Sequence, residues 1–225
     1  MPTSSLTPLV RSWIEGWVVS RGAADPEPEP WGWSIDVGNL AQSRRHVLVD
    51  GDEATVRGLA ADSAAPGRWL KVFLPRVTTA HDAPNAAEDI VASWLAPGWT
   101  LGTPGFLMTT ELRHTPIDVP AGHRVRTWTR GGVIRVALTA PDGALAARGQ
   151  IAPTGGTAVA DQIATSPLHR RKGLGSVVMR TLHHAALERG AHTGVLVGTV
   201  EGRALYEALG WRTHAPMVSA SFGSP

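Results

Sequence analysis

The stretch from Thr157 to Leu187 constrains the fold more than any other. Thr157, Val159, Ile163 and Thr165 set β-branched residues along a short segment broken by Pro167, which predicts a strand. Leu174, Val178, Leu182 and Ala185, flanked by Val177 and Ala186, recur at helical spacing, and Gly190 supplies a natural stop. Between the two lies Arg170-Arg171-Lys172-Gly173-Leu174-Gly175. A strand, an amide-rich turn and a helix N-terminus make a ready anion site, because free backbone N–H groups and the helix dipole point at one spot. Glycine lets a diphosphate lie against those amides and tolerates positive φ. The dipole contributes about 0.3–1 kcal/mol toward an exposed anion and ~2 kcal/mol toward a partly buried one. Neither GxxxxGK[ST] nor a GxGxxG strand–helix junction occurs. Taken alone, such a turn reads more readily as a solvated basic surface loop.

Around this stretch the chain alternates strands and helices. Residues 5–20 predict an amphipathic helix carrying Leu9, Trp13 or Ile14, Trp17 and Val18, with Pro8 in its first turn. The prolines and acids of 23–30 read as a stiff polyproline-like connector. Strands are expected at Trp33–Val37, His46–Val49, Trp69–Phe73 and Gly105–Thr110, with helices from Asp52 and over 86–96. Residues 116–122, with Pro116 and Pro120, mark the expected division into 1–115 and 116–225. Beyond it, Val125–Thr129, Val133–Thr139 and Leu145–Ile151 are separated by Gly131-Gly132 and Pro141-Asp142-Gly143, an antiparallel meander. A strand at Thr193–Val197, a helix over 202–209 and a strand near Met217–Ala220 complete the order. The halves have similar size, which leaves room for a diverged duplication.

Composition narrows the options. At 225 residues and 43% hydrophobic content the chain can fill one large core or two small ones. A net charge of +2 is too small to argue for a nucleic-acid partner. With no cysteine, disulfides, thiolate metal sites and a cysteine nucleophile are excluded, and a reducing, cytoplasmic setting fits. Arg11, Glu15 and Arg21 interrupt the N-terminal apolar residues, so neither a signal peptide nor a membrane span is expected. Seven of the nine tryptophans fall in the first half and read as core packing rather than a ligand cage. No HExxH or carboxylate cluster has metal spacing, so no metal is expected, and His183-His184 read as solvated surface residues.

Arg170-x-x-Gly173-x-Gly175 after Ile163-Ala164-Thr165-Ser166-Pro167 resembles the pyrophosphate loop of the GNAT superfamily of N-acetyltransferases. Further on, Leu205-Tyr206-Glu207-Ala208-Leu209-Gly210-Trp211 is similar to the family's L-Y-x-x-x-G-F signature, with Trp in place of Phe. The resemblance covers about residues 122–225. It implies an α/β (α+β) fold: a mixed, largely antiparallel twisted sheet with flanking helices, here with an extra N-terminal α/β half. It also implies acetyl-CoA as co-substrate, direct acetyl transfer to a primary amine of a small molecule or peptide, and compatibility with a homodimer. A longer-chain acyltransferase and a non-catalytic coenzyme A sensor stay open. The family normally sets two helices between its first two strands, walling the acceptor site; only Gly131-Gly132 stands there in this chain. The N-terminal half is expected to supply that wall, as in two-part enzymes similar to the glycine acyltransferase type.

By the same resemblance, Ile163, Ala164 and Thr165 would present backbone groups to the pantetheine arm, with a β-bulge near Ile163 splaying the strands for the thioester. Arg170, Arg171, Lys172, Gly173, Leu174, Gly175 and Ser176 would hold the diphosphate. Tyr206, the only tyrosine, stands at the family's proton-donor position. Asp161, two residues before Ile163 and so expected on its face, is the candidate base, with Glu111 in reserve. Thr199 stands where relatives often carry Asn; it could donate to the coenzyme arm or help cap the next helix.

Overall fold

The computed structural model describes residues 6–77 and 86–223; residue 5, where the first predicted helix starts, lies outside them. Helix α1 (Thr7–Arg21) leads into β1 (Glu27–Glu29), β2 (Gly32–Asn39), β3 (Gln42–Val49), α2 (Glu53–Asp62) and β4 (Arg68–Phe73). Next come α3 (Ala86–Trp94), β5 (Trp99–Leu101), β6 (Gly105–Glu111), β7 (Arg124–Arg130), β8 (Val133–Thr139), β9 (Leu145–Thr154) and β10 (Thr157–Thr165). A 3-10 turn at Pro167–His169, α4 (Leu174–Leu187), β11 (Thr193–Thr199), α5 (Val200–Ala208) and β12 (Arg212–Phe222) follow. The predicted connector over 23–30 is partly strand, because Glu27–Glu29 finds backbone partners along Gly32–Ser34 of β2.

The twelve strands form one sheet in the order β1-β2-β3-β4-β12-β6-β11-β10-β9-β8-β7, with β5 also against β12. Only β3–β4 and β10–β11 are parallel, each joined by a crossover helix, α2 and α4. The order is close to a palindrome about the β12–β6 pair. From each end it reads antiparallel strands, a parallel pair, then a strand contributed by the other half of the chain. The division at 115/116 therefore falls between β6 and β7 in sequence, while β6 lies inside the second half's strands and β12 adjoins the first half's β4.

Strand alternation sends neighbouring residues to opposite faces. On one face α1 packs Val10, Trp13, Ile14 and Trp17 against Val47, Phe73, Leu107, Val159, Val195 and Met217. On the other, α4 buries Leu174, Val178, Met179 and Leu182 on Ile134, Ala158 and Leu196, while α2 and α3 bury Val56 and Val91 on Leu48, Leu70 and Val218. Helix α1 crosses β9, β10 and β11. It comes close because Gly16 faces Val159: a Cβ there would sit 2.3 Å from Val159 Cγ2. Arg21 in its last turn and Gly22 in the left-handed conformation end it.

Candidate active site

Strands β10 and β11 are paired only from Thr157↔Thr193 to Val159↔Val195 and part beyond that point. The cause lies on β10, whose register against β9 shifts between Asp161 and Ala164. Gln162 there adopts φ 54°, so one extra residue is inserted and the strand bends away. The result is a fork lined by Ala160 and Asp161 on one side and Val197, Gly198 and Thr199 on the other. Past Val159 the β11-facing edge of β10 has no ladder partner, which leaves its backbone at Ile163, Ala164 and Thr165 free to bind an extended amide-bearing chain.

The bulge overturns one expectation. Asp161 and Ile163 do not share a face: Ile163 packs toward α4, while Asp161 meets α1. Two-residue spacing implies one face only in a regular strand, and the positive φ at Gln162 breaks the alternation.

At the mouth of the fork, Arg170, Arg171, Lys172 and Gly173 are exposed ahead of α4, and Leu174 is buried against the sheet. Arg171 and Gly173 both take positive φ, 61° and 73°, a turn that gathers successive amides. Ser176 and Val177 N–H close on the Gly173 carbonyl, and no side chain caps the helix. The N–H groups ahead of Ser176 lack intrahelical partners by helix geometry. A Cβ at Gly173 would meet nothing within 4 Å, so the space over the turn is open. The residues present thus fit a diphosphate. The related position in the first half does not: Asp52 already accepts the Thr55 N–H at 2.8 Å and sets a carboxylate on the α2 N-terminus.

Tyr206 projects from α5 against β11 and is 8% exposed. Its ring lies so close to Gly198 and Gly202 that a Cβ at either would come within 2.9 Å of it. Burial, with a smaller contribution from the Asp161 charge, pushes the phenol up to about 12. Tyr206 therefore keeps its proton at neutral pH and is available as a hydrogen-bond donor. Asp161 is differently placed. Its carboxylate accepts Ser20 Oγ at 2.7 Å, Arg21 Nε at 2.5 Å, Arg21 Nη2 at 2.8 Å and its own Gln162 N–H at 2.9 Å. Ser20 is held in turn by Gln150 Nε2 at 2.7 Å. Both carboxylate oxygens are thus engaged, each by two donors, which leaves little of the group open to an incoming amine. The geometry makes it an anchor between α1 and the fork.

Glu111 lies at the opposite end of β11, paired with Thr193 and bridged to Arg113 at 2.5 Å, far from the fork. It borders a recess of about 600 Å³ with Arg180 and Arg212 that does not reach the basic turn. Thr199 caps α5, accepting the Gly202 N–H at 3.2 Å. The histidine expectation is corrected: His183 is 6% exposed, and burial depresses its pKa to about 4. His184 Nε2 accepts the Thr115 N–H at 2.9 Å. Packing of α4 on β8–β10 and on the 112–115 segment buries that helix more completely than its polar residues suggest. No group of three or more potential metal ligands occurs among the described residues, and no helix there is long and apolar enough to cross a membrane.

Beside the fork, on the α1 face, three cations appear that sequence reasoning did not select: Arg21, Arg45 and Lys71. A signal for Lys71 was available. It shares alternation with Trp69 and Phe73 in an otherwise apolar strand, a core-facing position for a charge.

Residues 131–213 match the family of the acetyltransferase (GNAT) domain. No curated protein matches the sequence. Among solved structures, a GCN5-related N-acetyltransferase from Kribbella flavida aligns over 99% of this chain and 97% of its own, with TM-score 0.62 and 18% identity. An acetyltransferase of the GNAT family from Novosphingobium aromaticivorans aligns over 96% and 97%, with TM-score 0.56 and 16% identity. A tandem GNAT protein from the clavulanic acid biosynthesis pathway covers 75% of this chain and 68% of its own, with TM-score 0.50 and 19% identity. At these identities the likeness is one of fold.

Proposed function

We propose that the protein transfers an acetyl group from acetyl-CoA to a primary amine by direct attack in a ternary complex, a reading that the match of residues 131–213 to the acetyltransferase (GNAT) domain supports. The observation that carries this reading is the fork between β10 and β11 opening onto the basic glycine turn. The turn from Arg170 to Ser176 binds the diphosphate, and the free edge at Ile163–Thr165 pairs with the pantetheine amides. The bound thioester supplies an activated acetyl group.

Tyr206 donates a hydrogen bond to the departing sulfur. Burial holds the phenol at about 12, above the range of an ordinary thiol, which favours hydrogen-bond donation over complete proton transfer. Asp161 positions α1 and the bulge, and the proton of the incoming amine passes to water. The amine approaches from the α1 face, so α1 takes the place of the two absent family helices.

Coenzyme A should raise the Tm, because a ligand bound only to the native state stabilises it by mass action. Gly173→Val sets a β-branched residue at φ 73° over the amides, which costs about 1–2 kcal/mol of backbone strain and blocks the turn. The variant should fold and lose the shift. An undiminished shift would move the coenzyme elsewhere. Acetyl-CoA with an amine panel, read by product mass, tests the chemistry itself.

A further inference from the structure

On its α1 side the fork opens into a cavity of about 170 Å³ lined by residues of both halves of the chain. At roughly 30 Å³ per water it has room for the head of a small molecule. Arg45 of β3 and Lys71 of β4 border it, only 7% and 8% exposed. The Arg45 guanidinium lies 3.7 Å from the centre of the Trp17 ring and gives one hydrogen bond to Gln42 Oε1 at 3.1 Å. Its Nε is buried without a partner. Lys71 Nζ donates to Ser219 Oγ at 2.5 Å and lies 4.8 Å from the centre of the Trp69 ring.

Neither cation meets a carboxylate in the bonds described. Asp161, the one acid lining the cavity, is engaged by Arg21. With Arg21 and Asp161 paired to each other, Arg45 and Lys71 face the cavity without an acid of their own. Buried charge without a counter-charge destabilises a fold, so its presence points to a use. Burial and the neighbouring cations also lower the pKa of Arg45, to about 9, and that of Lys71 well below the usual ammonium value. An arriving anion reverses that tendency.

We infer that Arg45 and Lys71 receive the carboxylate of the acetyl acceptor, so that the acceptor is an amino acid, its amine directed into the fork. A planar guanidinium with a free Nε and an ammonium beside it suit a carboxylate, and the Trp13 and Trp17 rings wall the short stem. The inference rests on the acyl-transfer reading of the fork.

The test uses the full chain. The α-amino acids, β-alanine and 4-aminobutyrate are titrated calorimetrically beside their primary amides, at constant ionic strength, with and without coenzyme A. At least one acid should bind ten-fold or more tightly than its amide. Lys71→Met and Arg45→Met should erase that preference. Lys71→Met should also melt at or above the wild-type temperature without ligand, since it replaces a buried polar head beside two cations with an apolar one, and it carries the test if Arg45→Met fails to fold. Equal binding of acids and amides overturns the inference, as does tight binding of sulfate or phosphate with no carboxylate bound. So does a Lys71→Met protein that melts lower yet keeps the preference. The coenzyme A shift in Tm reads the other assignment separately. A shift without carboxylate preference sinks only the acceptor class; a preference without a shift sinks the coenzyme assignment and leaves an anion pocket.

Discussion

Asp161→Asn separates a base from an anchor. The substitution keeps the shape and one oxygen acceptor but turns an amide N–H toward Arg21, where two charge-assisted hydrogen bonds stood at 2.5 and 2.8 Å. Each such bond contributes about 1.5–3 kcal/mol when fully desolvated. The Arg21 side chain is 40% exposed, so water recovers much of its share and the expected loss is about 2 kcal/mol. For a chain of this length ~2–4 °C accompanies each kcal/mol, giving a drop in Tm of about 4–8 °C by calorimetry. Arg21→Gln should lose a similar amount. If Asp161 only anchors α1, kcat/KM falls less than about ten-fold and the acidic limb of the pH–rate profile survives. A base at this position predicts, whatever the change in Tm, a fall of about 10²–10⁴-fold and no acidic limb. That pattern would refute the anchoring role.

Tyr206→Phe should lower kcat roughly 5- to 150-fold, the equivalent of one hydrogen bond of about 1–3 kcal/mol, with little change in KM for acetyl-CoA; an unchanged kcat would reduce the ring to packing. The fragment 116–225 lacks α1 and β6, which would bare Val159, Val195 and Met217 and separate β11 from β12. It should be insoluble or inactive, and a soluble, active fragment would count against the interlocked sheet. His183 has a folded pKa near 4 against 6.5 for an ordinary histidine. Its stabilising contribution is therefore complete above pH 6.5 and is lost as pH falls toward 4, amounting to about 2 kcal/mol by pH 5. Urea unfolding of His183→Leu at pH 7 and pH 5 should show a shallower acid decline than the wild type; parallel declines would contradict the burial argument.

What could be read from the sequence was local. The strand, the basic turn and α4 are dictated by residues within one stretch, and the Gly131-Gly132 and Asp142-Gly143 turns fix the β7–β9 meander. The Asp52 cap was legible for the same reason. Partners from distant sequence were not. Arg21 meets Asp161 across 140 positions, and Lys71 meets Ser219 across 148. No periodicity encodes such pairings, so Asp161 looked like a free acid. The bulge was implied near Ile163 by the family resemblance alone and has no mark in the residues themselves, because Gln162 is not a residue that advertises positive φ. Lys71 and Arg45 sit at core-facing parity, a signal that weighs little until the strands on either side are known.

The exchange of β6 and β12 also sets a timetable for synthesis. When β4 and β6 leave the ribosome, β12, which belongs between them, has not been made, and β6 has neither of its neighbours. Lys71 waits for Ser219, 148 residues later, about 7–30 s at ordinary elongation rates. Through that interval the β4 edge is an open template for another chain, with Phe73 and Leu107 not yet enclosed by Ala215 and Met217. The nascent first half therefore depends on being kept apart from its neighbours until β12 arrives.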